Sequence, residues 1–197
     1  MQADADLSEI LALFPLQTVL FPGNKLPLRI FEPRYVDLVG RCMREQCGFG
    51  IIGIVKGQEA GPVPEIFSIG TEVSIIDFDQ GSDGFLNIVV QGRERFAVKN
   101  TRVSDDNLLS AIVSRLPALA YGEQAMTCPR LEAAFAELAR HPELMARIEP
   151  TENPIEMAYQ LLPWLPISNS VKVAYLEETS AIGLISRLED YLHHAGE

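Results

Sequence analysis

The sequence predicts an α+β domain in which a strand-rich half is followed by a helical half. Short apolar segments, broken by proline and glycine, fill the chain to about residue 116. After Pro117 the apolar residues adopt the three- and four-residue spacing of amphipathic helices. Because strands and helices are segregated along the chain, the pattern favours α+β over α/β. We therefore expect a strand-rich lobe over 1–116 and a helical lobe over 117–197, together forming one domain.

The first strands lie in the proline-rich stretch 13–35. Proline has no amide donor and a fixed φ, so strands in this stretch must be short and joined by turns. The Pro22-Gly23 pair is a turn signal, because glycine adopts positive φ without a Cβ clash. The expected strand pieces are 10–14, 18–21 and 25–31.

A helix is expected over 33–46, because Pro33 suits the first helical position and Glu32 lies near the positive end of the helix dipole. Gly48 is well placed just past the helix end, where glycine is the preferred residue. Three apolar side chains share one face of this helix: Tyr35, Leu38 and Cys42. The ring of Tyr35 should therefore be buried.

The remaining strands follow the helix. Residues 49–56 are almost continuously apolar, which is typical of a strand buried on both faces. The polar stretch 79–84 predicts a hairpin between two long strands. Gly92 interrupts the apolar alternation of the second of these strands, so a bulge is expected there. The other expected strands are 65–79 and 108–116.

Several residues in the second half of the chain are typical of helix N-termini. Asn153 precedes Pro154, and Glu156 stands where a capping box would place it. The residues 165–168 break this helix and start the next. The expected N-caps are Thr127, Asn153, Ser168 and Thr179.

The composition of the chain indicates which binding partners are unfavourable and where in the cell the protein is expected. The net charge is −11, which disfavours binding to nucleic acid or to anionic membranes. The acidic first residues lack the basic segment of a secretory signal, and no apolar run approaches the ~18 residues of a membrane span. Three cysteines, an odd count without metal spacing, predict reduced thiols and a cytoplasmic location.

No motif for catalysis, a metal or a cofactor is found. A phosphate-binding glycine loop is absent, and the four lysines show no serine–lysine motif. The three histidines lack further ligands nearby, and the acidic stretch 77–83 departs from a calcium loop. Cys42 and Cys47 are expected on different helix faces, without a disulfide. Arg93, Glu94 and Arg95 are expected to form cross-strand ion pairs.

Four short motifs carry a resemblance to a known family. They read Leu-Phe-Pro-Leu at 13–16, Val-Leu-Phe-Pro-Gly at 19–23, Ile-Phe-Glu-Pro-Arg-Tyr at 30–35 and Gly-Arg-Glu-Arg-Phe at 92–96. In this order they closely resemble the N-terminal, substrate-binding domain of Lon proteases, which also occurs in cereblon and in stand-alone bacterial proteins. The resemblance covers nearly the whole chain. It implies a small, partly open, PUA-like β-barrel lobe followed by a helical bundle.

The resemblance also implies a function. In Lon proteases this domain helps to recognise and hold substrate proteins, whereas the ATPase and protease modules lie elsewhere. We expect a non-catalytic module that binds unfolded or extended polypeptide segments, without a cofactor. Two alternatives stay open: an enzyme whose site is assembled only in space, and an adaptor for a separate protease.

The candidate partner-binding residues are Phe31, Pro33, Arg34 and Tyr35. Phe31 lies off the apolar parity of its strand, so we expect it to be partly exposed and to act as an aromatic anchor. A structural role is the favoured alternative for two residues of this motif: Glu32 would cap the helix, and Arg34 would tie chain segments together.

Overall fold

The structure is a computed structural model that describes residues 9–81, 84–120, 127–144 and 147–195. Within these ranges the chain forms six strands and five α-helices. The strands are β1 (Glu9–Leu16), β2 (Lys25–Ile30), β3 (Phe49–Lys56), β4 (Glu65–Gln80), β5 (Leu86–Val103) and β6 (Leu109–Arg115). The helices are α1 (Pro33–Glu45), α2 (Pro129–Arg140), α3 (Pro154–Leu161), α4 (Asn169–Leu176) and α5 (Ala181–Ala195).

The strands form one mixed sheet in the order β2-β5-β4-β3-β1-β6. The pair β1–β3 is parallel and the other pairs are antiparallel. Because β5 also pairs with β6, five of the strands close into a ring, and β2 is attached outside it. The α+β class is thereby confirmed, and the narrower expectation of a partly open barrel stays a prediction.

The long strand β5 belongs to two parts of the sheet. Its first half pairs with β2, and its second half pairs with β6. The register against β4 shifts between the pairs Thr71–Arg95 and Val73–Gly92, which is the bulge expected at Gly92. A Cβ on Gly92 would lie 2.5 Å from the carbonyl oxygen of Phe21, so glycine lets the chain pass this close.

Phe96 fills the centre of the ring of strands. Its ring is fully buried and faces Gly50 on β3 and Gly70 on β4. A Cβ on Gly70 would lie 2.5 Å from the Phe96 ring, and a Cβ on Gly50 would lie 2.7 Å from it. The two glycines therefore supply the space that this aromatic side chain occupies.

Helix α1 packs on the face of the sheet that is turned away from Phe96. Tyr35 is 4% exposed and stacks on Phe14 with ring centroids 3.9 Å apart. Leu38 and Cys42 lie in the same apolar cluster, as their spacing predicted. Burying one helix face in this way is the main source of stability for a helix of this length.

The C-terminal helices share a core with the sheet. Helices α2, α3 and α5 contact one another, whereas α4 contacts β3 and β4. Val19, Phe21 and Ile69 from the strand-rich half lie in the same apolar cluster as the helices. The expected helical bundle is therefore not confirmed, because the helices pack against the sheet as well as against each other.

The strand piece expected at 18–21 is wrong. Val19 and Phe21 face the helices while Leu20 faces the α1 cluster, so the residues alternate in direction without pairing in the sheet. Their backbone is satisfied by other partners instead. The Thr71 hydroxyl donates to the Leu20 carbonyl at 2.6 Å, and the Asn24 amide donates to the Phe21 carbonyl at 3.2 Å.

Helix α1 ends differently from the expectation. Gln46, not Gly48, adopts the left-handed conformation, with φ of 53°. Gly48 instead allows the backbone of β4 to approach closely, since a Cβ on Gly48 would lie 2.5 Å from the Val73 carbonyl oxygen. Cys47 lies past the end of the helix, its amide donates to the Cys42 carbonyl at 3.1 Å, and its thiol contacts that of Cys42. The expectation that the two cysteines lie on different helix faces is therefore wrong. All three cysteines are free.

Two of the four expected caps are confirmed. The Asn153 side chain accepts the Ile155 amide at 3.0 Å, and the Ser168 hydroxyl accepts the Val171 amide at 3.4 Å. Cys128 occupies the cap position expected for Thr127. At α5, Ser180 rather than Thr179 accepts an amide of the first turn.

The expected capping box at Glu156 is also different. Its carboxylate binds the side chains of Thr151 and Asn153 and not the Asn153 amide, which donates to the Thr151 hydroxyl. The tip of the hairpin at 82–83 and most of the connector expected over 117–126 lie outside the described residues.

We predict that Gly70→Ala destabilises the protein by about 2 kcal/mol, because the added methyl group overpacks the Phe96 site. Gly40→Ala in α1 is the matched control: its nearest neighbour would be 3.5 Å away, so it should stabilise by about 0.5–1 kcal/mol. Urea denaturation of both variants measures the difference. Equal stability of the two would contradict the packing role of Gly70.

Candidate binding surfaces

The four candidate residues divide by burial. Phe31 is 59% exposed, and Pro33 is also exposed at the first turn of α1. Arg34 and Tyr35 are buried, at 7% and 4% exposure. A partner approaching the folded surface can therefore contact Phe31 and Pro33, whereas the side chains of Arg34 and Tyr35 are inaccessible to it. The binding role of all four stays a prediction.

Arg34 joins two segments of the chain. Its guanidinium pairs with Glu32 at 2.8 Å and donates to the Asn107 carbonyl at 2.9 Å. It also lies over the Tyr35 ring, 4.7 Å from the centroid. The tie between segments is the structural role expected for Arg34. Glu32, by contrast, makes no side-chain cap bond; its carboxylate pairs with Arg34 instead.

Exposed aromatic rings lie beside strand β2. Phe31 meets Phe85 edge-on with ring centroids 6.3 Å apart, and the Arg29 guanidinium lies 4.5 Å from the Phe85 centroid. We call Phe31 and Phe85 the aromatic patch. In the sheet order β2 is an edge strand, paired only with β5 among the described strands. An extended segment can add to such an edge through backbone hydrogen bonds.

A groove of about 830 Å³ separates the strand-rich part from the start of α3. Turn 22–25, strand β5, the end of β6 and the segment 116–119 form one wall, and residues 147–160 form the other. The charged residues that line it are Lys25, Arg93, Glu94, Arg95, Arg115, Arg147, Glu149 and Glu156. The sequence did not predict this charged groove, because its walls come from segments far apart in the chain.

Arg95 ties the strand-rich wall of the groove to the helices. It is 3% exposed and donates to the carbonyls of Leu176 at 2.8 Å, Glu178 at 2.5 Å and Pro117 at 2.7 Å. Arg93 donates to the Ser74 hydroxyl at 2.8 Å. The cross-strand ion pairs expected for this motif are therefore wrong: the bulge turns Arg95 towards the carbonyls at the end of α4.

Two further contacts hold the turn at the groove entrance against the opposite wall. The Asn24 side chain donates to the Tyr159 carbonyl at 2.8 Å, and Lys25 pairs with Glu149 at 2.5 Å. Gln160 fixes Glu149 through both backbone groups of that residue, at 2.7 and 3.0 Å. These contacts hold the turn at residues 22–25 at a fixed distance from residues 149–160. The Pro22-Gly23 pair predicted the turn itself, but not its contacts.

Neither a metal cluster nor a membrane span occurs in the ranges that the structure describes. No group of three or more His, Cys, Asp or Glu residues there is arranged to hold a metal ion. None of the helices in these ranges combines the length and the apolar character needed to cross a membrane.

The fold belongs to a known class of protein domain. The family model for the ATP-dependent protease La (LON) substrate-binding domain matches residues 10–194. The chain therefore belongs to the Lon substrate-binding domain family.

Particular relatives agree with this assignment. The crystal structure of a Lon N-terminal domain protein from Xanthomonas campestris shares 34% identity and superposes with a TM-score of 0.71, covering 94% of this chain and 98% of that one. The N-terminal domain of a Mycobacterium avium complex Lon protease, at 15% identity and a TM-score of 0.61, shares the fold.

Curated full-length relatives match over part of their length. Lon protease from Anaeromyxobacter dehalogenans is 26% identical over 192 residues, which is 85% of this chain and 23% of the relative. Protein cereblon from Xenopus tropicalis is 26% identical over 158 residues, covering 77% of this chain and 31% of the relative. The chain thus spans less than a third of these relatives.

We predict that Arg95→Met destabilises the protein by at least about 3 kcal/mol, because three carbonyls lose a charged donor. Arg93→Met is the matched control two residues away at an exposed position, and it should change stability by no more than about 0.5 kcal/mol. Thermal and urea unfolding provide the measurement. A loss for Arg95→Met no larger than the control would show that the carbonyl contacts do not hold the strands to the helices.

The cysteines should differ in reactivity. Burial, together with the neighbouring Cys47 thiol, raises the pKa of Cys42 to about 12, and burial with the Glu132 contact raises the pKa of Cys128 to about 11. Because the thiolate is the reactive form, iodoacetamide at pH 8 should label exposed Cys47 and leave the other two unmodified. Mass spectrometry counts the labels, with urea-unfolded protein as the control in which all three react. Labelling of folded Cys42 as fast as Cys47 would contradict its burial.

Proposed function

We propose that this chain is a non-catalytic module that binds unfolded or extended segments of polypeptide. Membership of the Lon substrate-binding domain family is the observation that carries the proposal. The edge of β2 and the adjoining aromatic patch support it, because edge strands and exposed aromatic rings are recurrent elements of peptide recognition. An adaptor role for a separate protease is a narrower version of the same proposal.

The composition of the groove supports binding over catalysis. Its lining contains no serine, cysteine or histidine among the described residues, so the hydroxyl or thiol nucleophile and the imidazole base of the common catalytic dyads and triads are missing there. Two of its three glutamates are engaged, Glu149 by Lys25 and Glu156 by Thr151 and Asn153. Burial raises the pKa of Tyr159, which keeps its phenol protonated as a hydrogen-bond donor. We therefore propose that the chain is not an enzyme.

Two further parts of the proposal concern organisation and location. We propose that 1–116 and 117–197 act as two lobes with a shared core, and that both lobes contribute residues to the groove; the end of β6 at Arg115 supports this division. The ring of strands is proposed to be the partly open, PUA-like barrel of the family. A cytoplasmic location is proposed as well, supported by the three free cysteines.

We predict that the two aromatic variants differ in effect. Tyr35→Ala should cost about 3 kcal/mol of stability, because its buried ring stacks on Phe14. Phe31→Ala should cost less than half as much but weaken peptide binding, because its ring is 59% exposed.

The measurement pairs urea denaturation with a peptide-array binding assay on both variants. Unfolded casein added in solution provides an independent polypeptide ligand. Unchanged binding by Phe31→Ala, with a large loss of stability, would show that Phe31 serves the stability of the fold and that the aromatic patch does not bind peptides.

A further inference from the structure

A buried hydrogen-bond donor without an acceptor lies at the groove. Tyr159 lines the groove, is 5% exposed, and stacks on Phe21 with ring centroids 5.6 Å apart. Its hydroxyl has no hydrogen-bond partner in the part of the chain that the structure describes. A buried polar group without a partner is unfavourable, so a native protein rarely keeps one without a reason.

A buried cation lines the same groove as Tyr159, and while burial raises the pKa of the Tyr159 phenol, the charge of this cation lowers it by a smaller amount. This cation is the Arg95 guanidinium, which also lines the groove. It is bound by three backbone carbonyls, and over the described ranges no carboxylate pairs with it. A guanidinium carries more N–H donors than these three carbonyls accept. A buried charge without a counter-ion is costly, and a ligand that brings a negative charge would offset that cost.

The charge of the groove differs from that of the whole chain. Its lining contains five basic and three acidic residues, although the chain has 27 acidic and 16 basic residues. Two of the three acids are already engaged: Glu149 pairs with Lys25, and Glu156 accepts from Thr151 and Asn153. Two of the five bases are engaged as well, since Lys25 pairs with Glu149 and Arg115 pairs with Glu9 and Glu72. Arg93, Arg95 and Arg147 have no carboxylate partner among the described residues, so the groove presents donors and positive charge although the chain as a whole is acidic.

We propose that this groove binds a carboxylate group of a polypeptide segment, with the Tyr159 hydroxyl and the Arg95 guanidinium as its donors. The inference rests on the proposed function and adds to it a preference for polypeptide segments that carry a carboxylate at a suitable position. A carboxylate fits because it only accepts hydrogen bonds, whereas both groups donate. A volume of about 830 Å³ is ample for several residues of an extended segment, and Leu116, Leu119 and Ile155 provide apolar wall for its side chains.

Tyr159→Phe tests the proposal without disturbing the fold, because it removes a hydroxyl that has no partner among the described residues. Tyr175→Phe is the matched control: this phenol is also buried, but it donates to the Arg187 carbonyl at 3.3 Å and does not line the groove. Urea denaturation should show Tyr159→Phe to be at least as stable as the unmodified protein.

The ligands are three versions of one acetylated alanine–leucine pentapeptide. The first has a free C-terminal carboxylate, the second a C-terminal amide, and the third an amide with an aspartate at its centre. Calorimetric titration at low and high salt gives the affinities. Because a hydrogen bond to a charged group is removed, Tyr159→Phe should bind the acidic versions about tenfold more weakly, while Tyr175→Phe binds as the unmodified protein does.

Comparison of the free acid with the aspartate version identifies which carboxylate the groove prefers. If all three peptides bind equally and Tyr159→Phe changes nothing, the carboxylate site is overturned while polypeptide binding stands. The carboxylate site is likewise overturned if the acidic peptides lose affinity with Phe31→Ala and not with Tyr159→Phe. If the folded protein binds none of the peptides and no unfolded casein, the proposed function itself is overturned.

Discussion

Arg95 and the three backbone carbonyls around it hold the strand-rich and helical parts of the protein together. The contact joins β5 to the end of α4 and to the segment that follows β6. The last carbonyls of a helix lack partners within the helix and carry its negative dipole end, so a guanidinium suits them. One side chain thus binds acceptors from two separate segments, and it fixes the helices against the sheet.

Arg95 can do this because β5 runs between two cores. Adjacent residues of a strand point to opposite faces, so Phe96 enters the ring of strands while Arg95 faces the helices. Gly50 and Gly70 leave room for the phenyl ring on one side. On the other side the bulge at Gly92 lets the strand pass close to Phe21. The strands and helices therefore share a framework, and the groove between them has walls that are held in place.

The two surfaces offer different chemistry to a polypeptide. The aromatic patch and the edge of β2 provide apolar contact and backbone hydrogen bonds, neither of which depends strongly on sequence. The groove provides a phenol donor and a guanidinium, which favour a negative charge. The proposed function uses both: the edge and the patch would accept many unfolded segments, and the groove would favour those with a suitably placed carboxylate.

Local periodicity and turn chemistry were enough to predict the α+β class, most of the strands, the burial of Tyr35 and the exposure of Phe31. Motifs that keep their order along the chain were enough to identify the family. Three outcomes needed the folded structure: residues 18–21 form no strand, Arg95 binds backbone carbonyls instead of joining a cross-strand ion pair, and Tyr159 lines the same groove as that guanidinium. These outcomes depend on which segments distant in sequence become neighbours, and neither residue spacing nor propensity carries that information.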